Sequence, residues 1–138
     1  MNLSRFFCAL SSALCLSAPA LAQTLQCPPT VQTKAGSLQL QQTPAGFAPY
    51  FEGGQLPLSG ASIFDGPPEQ GAQLQPAGGK GVLRWSLSDA QAGVWLSCDY
   101  AQGLFRLVQK LPHTPRSCSA KLYKEGKSPL LQAVFSCE

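Results

Sequence analysis

The sequence has 138 residues, 44% of them apolar and 12% charged, with a formal net charge of +3. That length fits one small domain and is too short for two well-cored ones. The basic excess is too weak for a general nucleic-acid binder, so no nucleic-acid partner is expected.

Met1 to Arg5 make a short positive segment, and an apolar run from Phe6 to Ala18 follows. Pro19 ends the run, and Ala20-Leu21-Ala22 places small residues where a signal peptidase reads them. This is the three-part pattern of a secretory signal. The run is shorter than the roughly 20 residues that span a bilayer core. Cleavage is expected after Ala22, leaving residues 23–138 as a single β-rich exported domain with no membrane span. Lipoprotein processing would need a small residue before the modified cysteine. Gln26 before Cys27 and Leu14 before Cys15 are poor in that role. Beyond Ala22, nine Lys and Arg stand against seven Asp and Glu, a balance of +2.

Glycine and proline punctuate the remainder so often that long helices are not expected. Short runs of β character lie between the breakers. Ser37–Gln41 alternates polar and apolar, and Leu56–Phe64 is a run broken by Pro57 and Gly60. The segment from Gly66 to Gly81 reads as a surface loop, with at most a short strand at Ala72–Leu74. Val82–Leu87 reads as a strand with Leu83, Trp85 and Leu87 on one face. Ser88–Ala92 is the best helical candidate, a single capped turn before Gly93. Val94–Tyr100 follows, with Val94, Leu96, Cys98 and Tyr100 on one side and Trp95 on the other. Leu104–Gln109 and a final strand–turn–strand from Ala120 to Phe135 complete the series. The regular spacing from Val82 onward suggests an antiparallel meander. The fold class expected is mostly β: a small antiparallel meander, sandwich or barrel-like domain.

Four cysteines, Cys27, Cys98, Cys118 and Cys137, lie beyond the signal. An even count in a small exported domain reads as two disulfides, with three connectivities available. Zinc would need a different spacing, since there is no C-x-x-C and only one histidine, so no metal and no cofactor are expected. Cys118 and Cys137 bracket the last hairpin, whose antiparallel strands would bring them together. That leaves Cys27 for Cys98.

The residues offer little to catalysis. His113 sits in a proline-flanked loop, and there is no G-x-S-x-G elbow. Asp65 and Glu69 are the closest acidic pair that could act on one substrate, as in glycoside hydrolysis. The plainer account makes Asp65 the start of a turn. Gly78-Gly79-Lys80-Gly81 lacks the Walker spacing. Recognition has better candidates. From Arg106 to Lys127 the chain carries Arg106, Lys110, Arg116, Lys121, Lys124 and Lys127 against Glu125 alone. This is either a solvated basic face or a patch for an acidic partner. Trp85 reads as core; Trp95 opposes its apolar neighbours, so it is either a core residue as well or lies on the less buried face, where it could anchor an interface. Asp65, Glu69, Trp95, Arg106, Lys110 and Arg116 are the candidate partner-binding residues.

Three pieces in order carry a resemblance: Cys27-Pro28-Pro29-Thr30, then Ile63-Phe64-Asp65-Gly66-Pro67-Pro68-Glu69, then Trp95-Leu96-Ser97-Cys98-Asp99-Tyr100 followed by Leu111-Pro112 and Cys118. Together they resemble the STY0301 family of small exported proteobacterial proteins. That family lends no activity. The resemblance implies a periplasmic protein, and the occurrence of some members among type VI secretion genes implies an immunity role against a delivered toxin. The first expectation is thus a non-enzymatic protein-binding module. The alternatives are an inhibitor of an envelope enzyme such as lysozyme, a hydrolase using Asp65 and Glu69, or a structural envelope component. Oligomeric state is not legible.

Overall fold

A computed structural model describes residues 22–36 and 39–138. The signal segment, apart from Ala22, and the first two of the five residues of the alternating run at 37–41 lie outside the described residues; Gln39, Leu40 and Gln41 are not in a strand. Among the described residues, nine strands form two antiparallel sheets. They are β1 (Gln23–Cys27), β2 (Thr30–Thr33), β3 (Gly54–Asp65), β4 (Ala77–Gly79), β5 (Val82–Ser86), β6 (Val94–Tyr100), β7 (Phe105–Lys110), β8 (Ser117–Lys124) and β9 (Leu131–Cys137). The first sheet has the order β1-β9-β8-β5-β4, the second β2-β3-β6-β7. Among the described residues, no helix is long and apolar enough to cross a membrane.

The expected mostly β class and both disulfides are present, but the run of strands from Val82 is not one meander. β5 pairs with β8, and β6 pairs with β3 and β7, so the chain changes sheet after β5 and again after β7. Burial explains the switching. In the first sheet Leu83, Trp85, Cys118, Ala120, Leu122, Ala133, Phe135 and Cys137 share one face by register. In the second, Ile63, Ala61, Val94, Leu96, Cys98 and Tyr100 do the same. Each sheet turns one such apolar face inward, and placing the two against each other makes the core. Fully burying a side chain such as Phe135 or Leu96 stabilises by about 1.5–3 kcal/mol.

Pro57 and Gly60 do not break β3. Pro57 stands opposite Thr30 at the strand's short paired edge, and the register shift between Leu58 and Gly60 absorbs one extra residue. The loop from Gly66 contains a 3-10 turn at Pro68–Gln70, a bridge between Gln73 and Phe64, and β4. Residues 88–92 make turns rather than a helix. There the Asp65 carboxylate accepts the backbone N–H of Gln91 at 3.2 Å and of Ala92 at 2.7 Å.

Cys118 stands opposite Cys137 in the β8–β9 register, and the two are bonded. Cys27 on β1 is bonded to Cys98 on β6, joining the two sheets across a sequence separation of 71. Such bonds persist in an oxidising compartment.

Candidate partner-binding surface

The second sheet has an unusual outer face. Opposite its core side, the register aligns Phe64, Trp95 and Lys110 in one row, and Gly60, Asp99 and Arg106 in another. Ser62, Ser97 and Val108 form the row between them. A solvated sheet face would be polar and open. Here Phe64, Ser62, Ser97 and Asp99 are all buried, although Phe64 lies outside the core cluster. Long side chains cover them. The Arg106 guanidinium lies 5.1 Å above the Phe64 ring centroid, a cation–π contact.

Asp99 organises the polar part. Its carboxylate accepts Ser97 Oγ at 2.6 Å and Arg106 Nε at 3.1 Å on one oxygen, and Ser62 Oγ on the other. Gln73 Nε2 donates to Ser62 Oγ at 3.3 Å, which ties the loop after β3 into the cluster. A buried carboxylate needs such donors, because removing it from water is costly. The cluster borders a cleft of about 270 Å³ lined by Ser59, Gln73, Asp99, Gln102 and Arg106. At its rim the chain turns from β6 to β7 through Ala101 (φ 47°) and Gln102 (φ 58°), both left-handed without being glycine. Ser59 Oγ accepts the Gln102 N–H at 3.1 Å and itself donates to the Asp99 carbonyl at 2.9 Å, holding that turn against β3.

Trp85 and Trp95 occupy the faces that their alternation suggests. Trp85 is buried in the core and donates its indole N–H to the Leu74 carbonyl at 3.2 Å. Trp95 is half-buried on the outer face beside Lys110, and its buried indole nitrogen has no hydrogen-bond partner among the described residues. On the core side, Tyr100 donates its hydroxyl to the Pro28 carbonyl at 2.7 Å, and burial raises its pKa above the usual 10.0.

Of the six candidate residues, the structure gathers Trp95, Arg106 and Lys110 on this one face. Asp65 ends the neighbouring strand opposite Val94, but its two oxygens are engaged by Gln91 and Ala92. Glu69 is exposed on the 3-10 turn. Arg116 stands apart, just before β8, with its backbone bonded to Glu138 and Leu87. The basic stretch is divided as well: Arg106 and Lys110 are on the second sheet, Lys121 and Lys124 on the first. The buried group of Ser62, Ser97 and Asp99 was not foreseen. Ser97 and Asp99 alternate with Cys98, so their common face was legible, but their burial depends on Arg106, seven residues beyond Asp99.

No curated protein and no solved structure matches the chain. A family model described as "Type VI secretion system Tli immunity protein" matches residues 53–138. The matched span contains the second and third motif pieces and leaves out Cys27-Pro28-Pro29-Thr30. The family shown is therefore not the STY0301 family that the motif order resembles. The match covers β3 to β9, all but one strand of each sheet and more than half of the sequence, and the chain belongs to the Type VI secretion system Tli immunity protein family.

Proposed function

We infer that this chain is a non-enzymatic immunity protein that binds and neutralises a type VI secreted antibacterial effector in the periplasm. The family match over residues 53–138 carries the reading. The signal pattern in the first 22 residues and the two disulfides support the compartment. Trp95, Arg106 and Lys110 are the proposed contact residues. Half-buried aromatic and arginine side chains over a packed floor are the usual anchors of tight protein interfaces. A hydrolase built on Asp65 and Glu69 is not favoured, because the Asp65 carboxylate serves the turn at Gln91 and Ala92.

The test is competition between sibling cells. A strain lacking this gene should be outcompeted by its parent only when the parent's type VI apparatus is intact. Exported residues 23–138 should restore survival, and the same segment without its signal should not. Lys110→Glu, at an exposed position, should weaken the rescue while melting like the wild type. Equal survival of the deletion strain and its parent would sink the reading.

A further inference from the structure

The two sheets leave one side of the core open. β7 ends the second sheet and β1 ends the first, and among the described residues neither strand has a partner on its outer edge. Between them runs a groove of about 280 Å³ lined by Leu25, Leu96, Gln109, Leu111 and Pro112. The Leu111 N–H donates to the Val94 carbonyl at 2.9 Å. Hydrogen-bonded pairs alternate along an antiparallel ladder. Residues 105, 107 and 109 therefore turn their backbone groups towards β6. Arg106, Val108 and Lys110 direct theirs to the open edge.

Open edges are normally blunted, most often by lysine or proline, and Arg106 and Lys110 could serve that purpose alone. The apolar side chains argue otherwise. Leu104 is 92% exposed, Phe105 37%, Leu107 39% and Val108 42%; these are four of the seven large hydrophobics exposed among the described residues. An edge meant only to repel would not concentrate them on both of its faces. In its register centred on Val108, pairing with a second copy is opposed by charge. In an antiparallel β7–β7 pair centred on Val108, Arg106 of each copy would face Lys110 of the other, and like charges directly opposite destabilise a ladder.

We propose that β7 is a docking edge on which an extended segment of the effector adds as a further strand, acidic on one face and apolar on the other. The proposal rests on the immunity reading and specifies its contact. Side chains alternate along a strand, so one set of the added segment enters the groove over Leu96 and Leu111 while the other lies beside Arg106 and Lys110. Asp and Glu on that second set complete the complementarity. β7 lies within the span that defines the family, whereas β1 lies outside it.

The probe is a synthetic peptide of about eight residues alternating Glu with Val, compared with one alternating Lys with Val. Both are titrated into oxidised residues 23–138 and followed by amide chemical shifts. The Glu peptide should bind about tenfold more tightly than the Lys peptide and shift residues 105–110. Val108→Pro removes one outward N–H and leaves the β6 ladder intact, so it should weaken Glu-peptide binding by about tenfold with an unchanged spectrum elsewhere. Equal binding of the two peptides, no binding, or shifts confined to other strands would overturn the proposal. So would a wild-type dimer that Val108→Pro dissolves, since the occupant would then be a second copy. The immunity reading fails separately, if deletion of the gene leaves cells no more sensitive while the peptide still binds.

Discussion

Arg106 and Asp99 face each other across β6 and β7, with Arg106 Nε 3.1 Å from the Asp99 carboxylate. The pair sits on the side of the sheet away from the core, yet Asp99 is nearly closed off from solvent. Asp99→Ala would leave two serine hydroxyls and a guanidinium without their acceptor. Removing one partner from a buried ionic network costs about 3 kcal/mol. Arg106→Ala, which leaves Asp99 with both serines and exposes it to water, should cost less. Urea unfolding checks the order; an Asp99→Ala variant as stable as wild type would show that the cluster carries no net stabilisation.

The two disulfides close loops of different length, with sequence separations of 71 for Cys27–Cys98 and 19 for Cys118–Cys137. In the chain-entropy model they stabilise by about 4 and about 3 kcal/mol. Replacing Cys27 and Cys98 together by Ser should therefore lower stability more than replacing Cys118 and Cys137. Thermal or urea melts of the two double variants decide it, and a reversed order would place the difference in the native state instead.

Tyr100 gives the protein an alkaline limit. Its folded pKa is raised above 10.0 by burial, so the folded state favours the neutral phenol. The unfolded chain releases that proton more readily. Stability is fully present below pH 10.0 and falls as pH rises through the folded pKa. Tyr100→Phe should lose about 1 kcal/mol at neutral pH with the bond to Pro28, and should lose part of the alkaline slope. A slope above pH 10.0 identical to wild type would assign it to other groups.

Asp65→Ala separates a turn from a catalyst. Losing the acceptor for Gln91 and Ala92 should cost about 1 kcal/mol and leave protection of sibling cells intact. Loss of protection in a variant that remains folded would return Asp65 to the functional surface.

Gln102 sits at φ 58° and ψ 32°, in the left-handed region that glycine enters without steric cost. Gln102→Gly should shift stability upward by up to about 1 kcal/mol, as relief of the strained backbone outweighs the added freedom of the unfolded chain. A drop of similar size would mean that the Gln102 side chain, rather than its backbone, holds the turn.

Local pattern was sufficient for β6 and for the last hairpin. Val94–Tyr100 alternates cleanly, and the turn between β8 and β9 contains Gly126 and Pro129. The pairing of Cys118 with Cys137 followed from that hairpin, and the pairing of Cys27 with Cys98 from what was left. The order of strands did not follow, because β5 and β6 each have a one-sided apolar face and nothing between them says that they join different sheets. β3 was read as broken because the bulge that accommodates Gly60 is a property of the pair with β6 and not of β3 alone. Trp95 and Lys110 became neighbours only through the β6–β7 register. The exposure of Phe105, Leu107 and Val108 depends on β7 being an edge, and no window of sequence around those residues reports that.

The Cys27–Cys98 bond reaches over the exposed stretch between residues 39 and 49, which holds no strand. A protease that cuts there divides the chain but does not release β1 and β2, since the first piece stays covalently attached to β6. The nicked protein would run as one band without reductant and as two with it. Its folded body would outlast the cut, because β1 stays paired with β9 and β2 with β3 while the bond to Cys98 holds the piece in place.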